Sequence, residues 1–130
     1  MTGIKIDGKI IAQTVKDRVK KAADELKTEG INPCLATVLI GNNAASATYV
    51  KNKHKSCEEV GIATKDHKLD ESVTQQELNN IIDELNADVS VHGILVQLPL
   101  PKHLNEFATT SRISPIKDVD GLTPHNAGLL

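Results

Sequence analysis

The sequence predicts an α/β fold, a layered sheet of mainly parallel strands joined by helical crossovers. Two short runs, Leu35–Ile40 and Gly93–Leu98, carry no charge, as in strands buried on both faces. Stretches of helical period lie before and between them, so the middle of the chain reads strand–helix–strand–helix–strand. With 130 residues the chain has the size of one ordinary domain and enough length for a real core.

Taken in order, the first helix is marked by Ile11, Val15, Val19, Ala22 and Leu26 at three- and four-residue steps, with charges between them. Asp7 is placed to cap its start, and Gly30 with Pro33 to stop it. The strand Leu35–Ile40 ends at Gly41-Asn42-Asn43, and a second helix runs from about Ala44 to Val60, closed by Gly61. Ile62 to Leu69 has mixed polarity, which suits a strand nearer a sheet edge. Thr74 with Glu77 three residues on forms a capping box for a third helix, whose stripe is Leu78, Ile81, Ile82 and Leu85. The strand Gly93–Leu98 is broken by Pro99 and Pro101. From Lys102 onward periodicity is poor and turn formers are frequent. Gly128-Leu129-Leu130 reads as a boundary leading into another domain.

Composition excludes several classes. Fifteen Lys and Arg against seventeen Asp and Glu leave a net charge of −2, without the basic surplus of a nucleic-acid or anionic-membrane binder. One Tyr, one Phe and no Trp exclude the stacking platforms of single-strand readers. Cys34 and Cys57 have no metal-ligand spacing, and the histidines form no i,i+4 pair, so neither a disulfide framework nor a metal site is expected. No apolar run approaches the ~20 residues of a membrane span, and neither a signal nor a transit peptide is recognisable. The expectation is a reduced, soluble, cytoplasmic protein.

Open parallel sheets bind ligands at the carboxyl ends of their strands. Here that edge brings the start of the second helix toward Gln97. At ~100° per residue, Val50, Cys57 and Val60 share one helix face, with Ser46 and Lys53 on the same arc and Tyr49 at its margin. Lys53 is therefore a lysine written into an apolar stripe. It is either a stem packed on the core with its ammonium in water, or a partly desolvated amine able to move protons. Ser46 reads as a helix-start residue or a hydroxyl near that amine, and Tyr49 as a half-buried ring or a ligand contact. The Gln97 amide, closing an apolar strand, needs partners. Asp118-Val119-Asp120-Gly121 suits a turn, or a buried carboxylate gripping the N–H edge of a guanidine-like ring. No glycine-rich phosphate cradle occurs.

Tyr49-Val-Lys-Asn-Lys53 with Cys57-Glu-Glu-Val-Gly61, then His92-Gly-Ile-Leu-Val-Gln-Leu-Pro-Leu-Pro101, then Lys117-Asp-Val-Asp-Gly121 with Asn126-Ala-Gly128, stand in a fixed order. Together they resemble the bifunctional methylenetetrahydrofolate dehydrogenase/methenyltetrahydrofolate cyclohydrolase family. The resemblance implies a folate-binding catalytic domain over 1–120, with 121–130 beginning the connection to an NADP-binding Rossmann domain absent from this chain. It also implies tetrahydrofolate derivatives as ligands, a homodimer, and interconversion of methylene-, methenyl- and formyl-tetrahydrofolate. Under it Lys53 handles protons, Gln97 bonds and tunes it, Tyr49 packs on the p-aminobenzoyl ring and Asp120 grips the pterin. Val96 and Leu98 would line the pocket, and Ser46 would support the lysine. The alternative is a folate-binding or dimerisation module without chemistry.

Overall fold

The computed structural model describes residues 3–129; Met1, Thr2 and Leu130, the last residue of the boundary read above, lie outside them. The described chain runs α1 (Gly8–Thr28), β1 (Cys34–Ile40), α2 (Ala44–Val60), β2 (Ala63–Leu69), α3 (Gln75–Ala87), β3 (Gly93–Val96), α4 (Glu106–Arg112) and α5 (Pro124–Ala127). The three strands are parallel in the order β2-β1-β3, with Cys34 opposite Ala63 and Leu35 opposite Gly93. The α/β reading therefore holds, and the mixed-polarity strand β2 does lie at an edge. β3 stays buried throughout although it is last in the order, because Asp118 forms a parallel bridge to Ile94 on its outer side.

Helix boundaries follow from caps that satisfy end groups the helices cannot bond themselves. Asp7 accepts from the Lys9 N–H, Asn43 from the Ser46 N–H, and Thr74 and Glu77 close a capping box. Gly61 ends α2 at φ +80°, a left-handed conformation that glycine adopts without strain.

The period-2 alternation of the strands divides the core. Ala36, Val38 and Ile40 of β1, with Ile94 and Val96 of β3, face α3, where Leu78, Ile82 and Leu85 pack on them. Thr37 and Leu39 alternate with them, and so point to the other face, which carries α2. Leu100, Leu104 and Ile113 close the α3 side.

Two expectations need correction. The stretch after Lys102 holds α4 and α5, each opened by a side-chain cap, Asn105 to the Ala108 N–H and Thr123 to the Asn126 N–H. Both helices are too short to show a period. The apolar stripe of α1 is also largely open in this chain: Ile11 is 52% and Val15 49% exposed, and Ala23 is the helix's buried residue. α1 lies against α2, tied at the margin by Lys16 to Glu59 at 2.7 Å, so most of its stripe has no neighbour to pack on.

Candidate active site

Parallel strands deliver their carboxyl ends to one edge, and there the chain leaves β1 through Gly41 and β3 through Gln97. Gly41 has φ +81°, and the turn it makes lets Asn43 cap α2, so α2 starts at this edge. Lys53, half-buried in the third turn of α2, reaches back across the sheet: its Nζ donates to Gln97 Oε1 at 2.8 Å. Gln97 is fixed on three sides. Its backbone N–H donates to Val38 O at 2.9 Å, its Nε2 donates to Leu98 O at 3.0 Å, and its Oε1 is thereby aimed at the lysine. An amide oxygen accepts and cannot donate, and it carries no charge, so this partner fixes where the Lys53 amine sits without forming an ion pair with it.

The other anticipated residues fall into three groups. Tyr49, one turn before Lys53, is 57% exposed, a ring open to a ligand at the same edge. Ser46 is buried and its N–H is bonded to Asn43, so it belongs to the start of α2. Val96 belongs to the core on the α3 side, the face away from Lys53, and Leu98 packs against that same core. Their side chains are therefore turned from the lysine, and beside Gln97 they contribute backbone.

Asp120 is exposed, whereas the sequence reading allowed a buried carboxylate at this turn. The structural carboxylate is Asp118, which accepts from the Thr123 N–H at 2.9 Å and from Asn126 Nδ2 at 3.1 Å. Partial burial pushes the Asp118 carboxyl up, but these hydrogen bonds outweigh it and hold the group below the usual carboxylate range. Lys117 is a second anchor that sequence reasoning missed. Its Nζ donates to Leu85 O, Asn86 O and Asp88 O at 3.0, 2.9 and 2.8 Å, capping the end of α3. Its backbone oxygen accepts from Ile94 N at 2.7 Å. Lys117 and Asp118 thus hold the segment that presents Asp120. Local spacing carried no signal for this, because the partners of Lys117 lie at the end of α3, 29 to 32 residues away.

A family model described as "Tetrahydrofolate dehydrogenase/cyclohydrolase, catalytic domain" matches residues 6–120. The chain belongs to this family. It is 78% identical over 130 residues to the "Bifunctional protein FolD" of Nitrosopumilus maritimus, covering all of this chain and 45% of that protein. The protein of the same name from Moorella thermoacetica is 52% identical over 125 residues, covering 96% of this chain and 45% of its own. A crystal structure of the bifunctional FolD enzyme from Campylobacter jejuni superposes with a TM-score of 0.92 at 49% identity, covering 94% of this chain and 43% of that one. The Trypanosoma brucei dehydrogenase-cyclohydrolase, solved with NADP and an inhibitor, gives 0.91 at 34% identity, covering 98% and 44%. The chain thus spans less than half the length of these relatives. No helix of the described residues is long and apolar enough to cross a membrane. Among them no three His, Cys, Asp or Glu side chains group as metal ligands.

The N-terminus of α2 is already capped by Asn43, and that of α3 holds the Glu77 carboxylate, which would repel a phosphate.

Proposed function

We propose that this chain is the folate-binding catalytic portion of a methylenetetrahydrofolate dehydrogenase/methenyltetrahydrofolate cyclohydrolase, with residues 1–120 as the domain and 121–130 leading out of it. The observation that carries the reading is the Lys53–Gln97 hydrogen bond at the carboxyl edge of the sheet, with Tyr49 exposed one turn away.

The chemistry follows from the substrate. The methenyl carbon of 5,10-methenyltetrahydrofolate sits between two nitrogens and shares their positive charge. Water attacks it, forming a C–O bond and losing one proton. The bond from that carbon to N5 then breaks, the hydroxyl becomes the formyl carbonyl, and N5 receives a proton. One proton is released overall. Lys53 is the group proposed to receive and return protons at these steps, with Gln97 holding its Nζ at one place throughout. Tyr49 offers a ring face to the p-aminobenzoyl group and Asp120 a carboxylate to the pterin's N–H edge; backbone at Val96 and Leu98 and the buried Ser46 support them. The dehydrogenase step takes its hydride chemistry from a bound NADP. The chain's own residues orient folate for it; the NADP site is assigned to a part outside this chain.

The ligands proposed are tetrahydrofolate derivatives, the assembly a homodimer of the longer protein, and the compartment the cytoplasm, in keeping with two unpaired thiols. The test is hydrolysis of 5,10-methenyltetrahydrofolate, followed by loss of its near-UV absorbance, with the chain and with Lys53→Met. Turnover above the buffer rate that disappears in the variant supports the reading. Folate binding with no turnover in either protein supports a binding module instead.

A further inference from the structure

We infer that His54 is a positioning residue: held as an imidazolium between Asp66 of β2 and Glu58 one turn along α2, it sets the roll of α2 over the sheet and so the Lys53–Gln97 contact. This rests on the proposed function only in taking Lys53 as the working amine.

Neighbouring residues on a helix point ~100° apart. Lys53 leans to the β3 side of the sheet, where it meets Gln97. His54 leans to the β2 side, where its Nδ1 lies 2.9 Å from Asp66 Oδ2 and 2.7 Å from Thr64 Oγ1. The two side chains therefore straddle β1, the middle strand. The buried Ser46, Val50 and Val60 hold α2 on the sheet, and the two flanking contacts set its angle about its own axis.

The anchor is complete in one protonation state only. Nε2 faces Glu58 Oε1 at 3.2 Å while Nδ1 faces Asp66, and only the imidazolium has an N–H on both nitrogens. A neutral ring would turn a lone pair toward one carboxylate. The anchor continues inward, because Asp66 Oδ1 accepts from the hydroxyl of Thr37, a fully buried residue of β1, at 2.7 Å.

The charges acting on His54 are Glu58 from its own helix and Asp66 from β2. β1 contributes only the Thr37 hydroxyl through Asp66, the nearby Cys57 thiol feels Asp66, and α1 directs Lys16 to Glu59. Partial desolvation pulls the imidazole down, but the hydrogen bonds and charges of Glu58 and Asp66 outweigh it, so it titrates above the ordinary histidine value. As pH rises through that folded value the ring gives up one of its two N–H donors, the hold between Asp66 and Glu58 weakens, and α2 gains freedom to roll.

The test is NMR on the 15N-labelled chain, which needs no turnover. A pH titration follows the His54 ring proton and, separately, the side-chain amide of Gln97. The expected result is a Gln97 amide shift whose midpoint coincides with that of His54. In His54→Arg, permanently cationic, the amide should stay at its low-pH position throughout. In His54→Gln it should stay at its high-pH position. A Gln97 amide that ignores the His54 titration, or that moves equally in both variants, overturns the inference. Absence of methenyltetrahydrofolate hydrolysis with these shifts intact would instead count against the proposed function.

Discussion

Replacing Lys117 by Met keeps most of the stem and removes the ammonium that caps α3. Of its three acceptors, Asp88 O retains the Val91 N–H at 3.1 Å, so the carbonyls that lose their cap are Leu85 O and Asn86 O. Bonds to a charged donor are worth about 1.5–3 kcal/mol each, and at the lower end two of them give a loss of about 3 kcal/mol. With an unfolding entropy of about 2.1 cal/mol/K per residue, that loss lowers Tm by about 11 °C over the 130 residues. Thermal denaturation followed by far-UV circular dichroism reads this directly. Because Lys117 also pins the segment that carries Asp120, folate affinity should fall at temperatures where the variant remains folded. A Tm within about 3 °C of the parent, which is under about 1 kcal/mol on the same scale, would refute the reasoning.

Leu78 is wholly buried among Val38, Ile82 and Ile94 in the core on the α3 side, so Leu78→Ala should cost about 3–5 kcal/mol in urea unfolding. A Cβ on Gly93 would stand 2.7 Å from Val119 Cγ1 and 3.2 Å from Leu35 Cδ1, so Gly93→Ala should cost about 1–3 kcal/mol and weaken folate binding by displacing the residue before Asp120. The Asp118 carboxyl titrates below its ordinary value, so its contribution to stability is present above the unfolded pKa and lost as pH falls through the folded one. Acid titration of stability from about pH 4 downward should therefore be shallower in Asp118→Asn than in the parent.

Much of the fold was legible because its signals are local. Asp7, the Thr74–Glu77 box and Gly61 each act within one turn, and the uncharged runs through Val38 and Leu95 mark fully covered strands. α4 and α5 were missed because seven and four residues hold too little period to stand out from turns. The open stripe of α1 escaped because a sequence reports that a face is apolar, not what covers it. In the site, placing Lys53 on an apolar arc near Gln97 needed only helical geometry and parallel topology, and the two side chains do meet. That Val96 faces the opposite layer was implicit in strand alternation, since Gln97 next to it points toward Lys53. The Lys117 cap and the His54–Asp66–Thr37 chain were not legible, because the partners of Lys117 lie 29 to 32 residues away and those of Asp66 come from two other elements, α2 and β1.

The most direct test of the central claim, that Lys53, held in place by Gln97, carries the protons of a cyclohydrolase, joins this chain at Leu130 to the remaining portion of the Nitrosopumilus maritimus relative. Hydrolysis of 5,10-methenyltetrahydrofolate is then measured for that protein and for its Lys53→Met form at equal folate occupancy. The account predicts turnover that falls by about 10²–10⁴-fold in the variant. Turnover that persists undiminished without the lysine would contradict it.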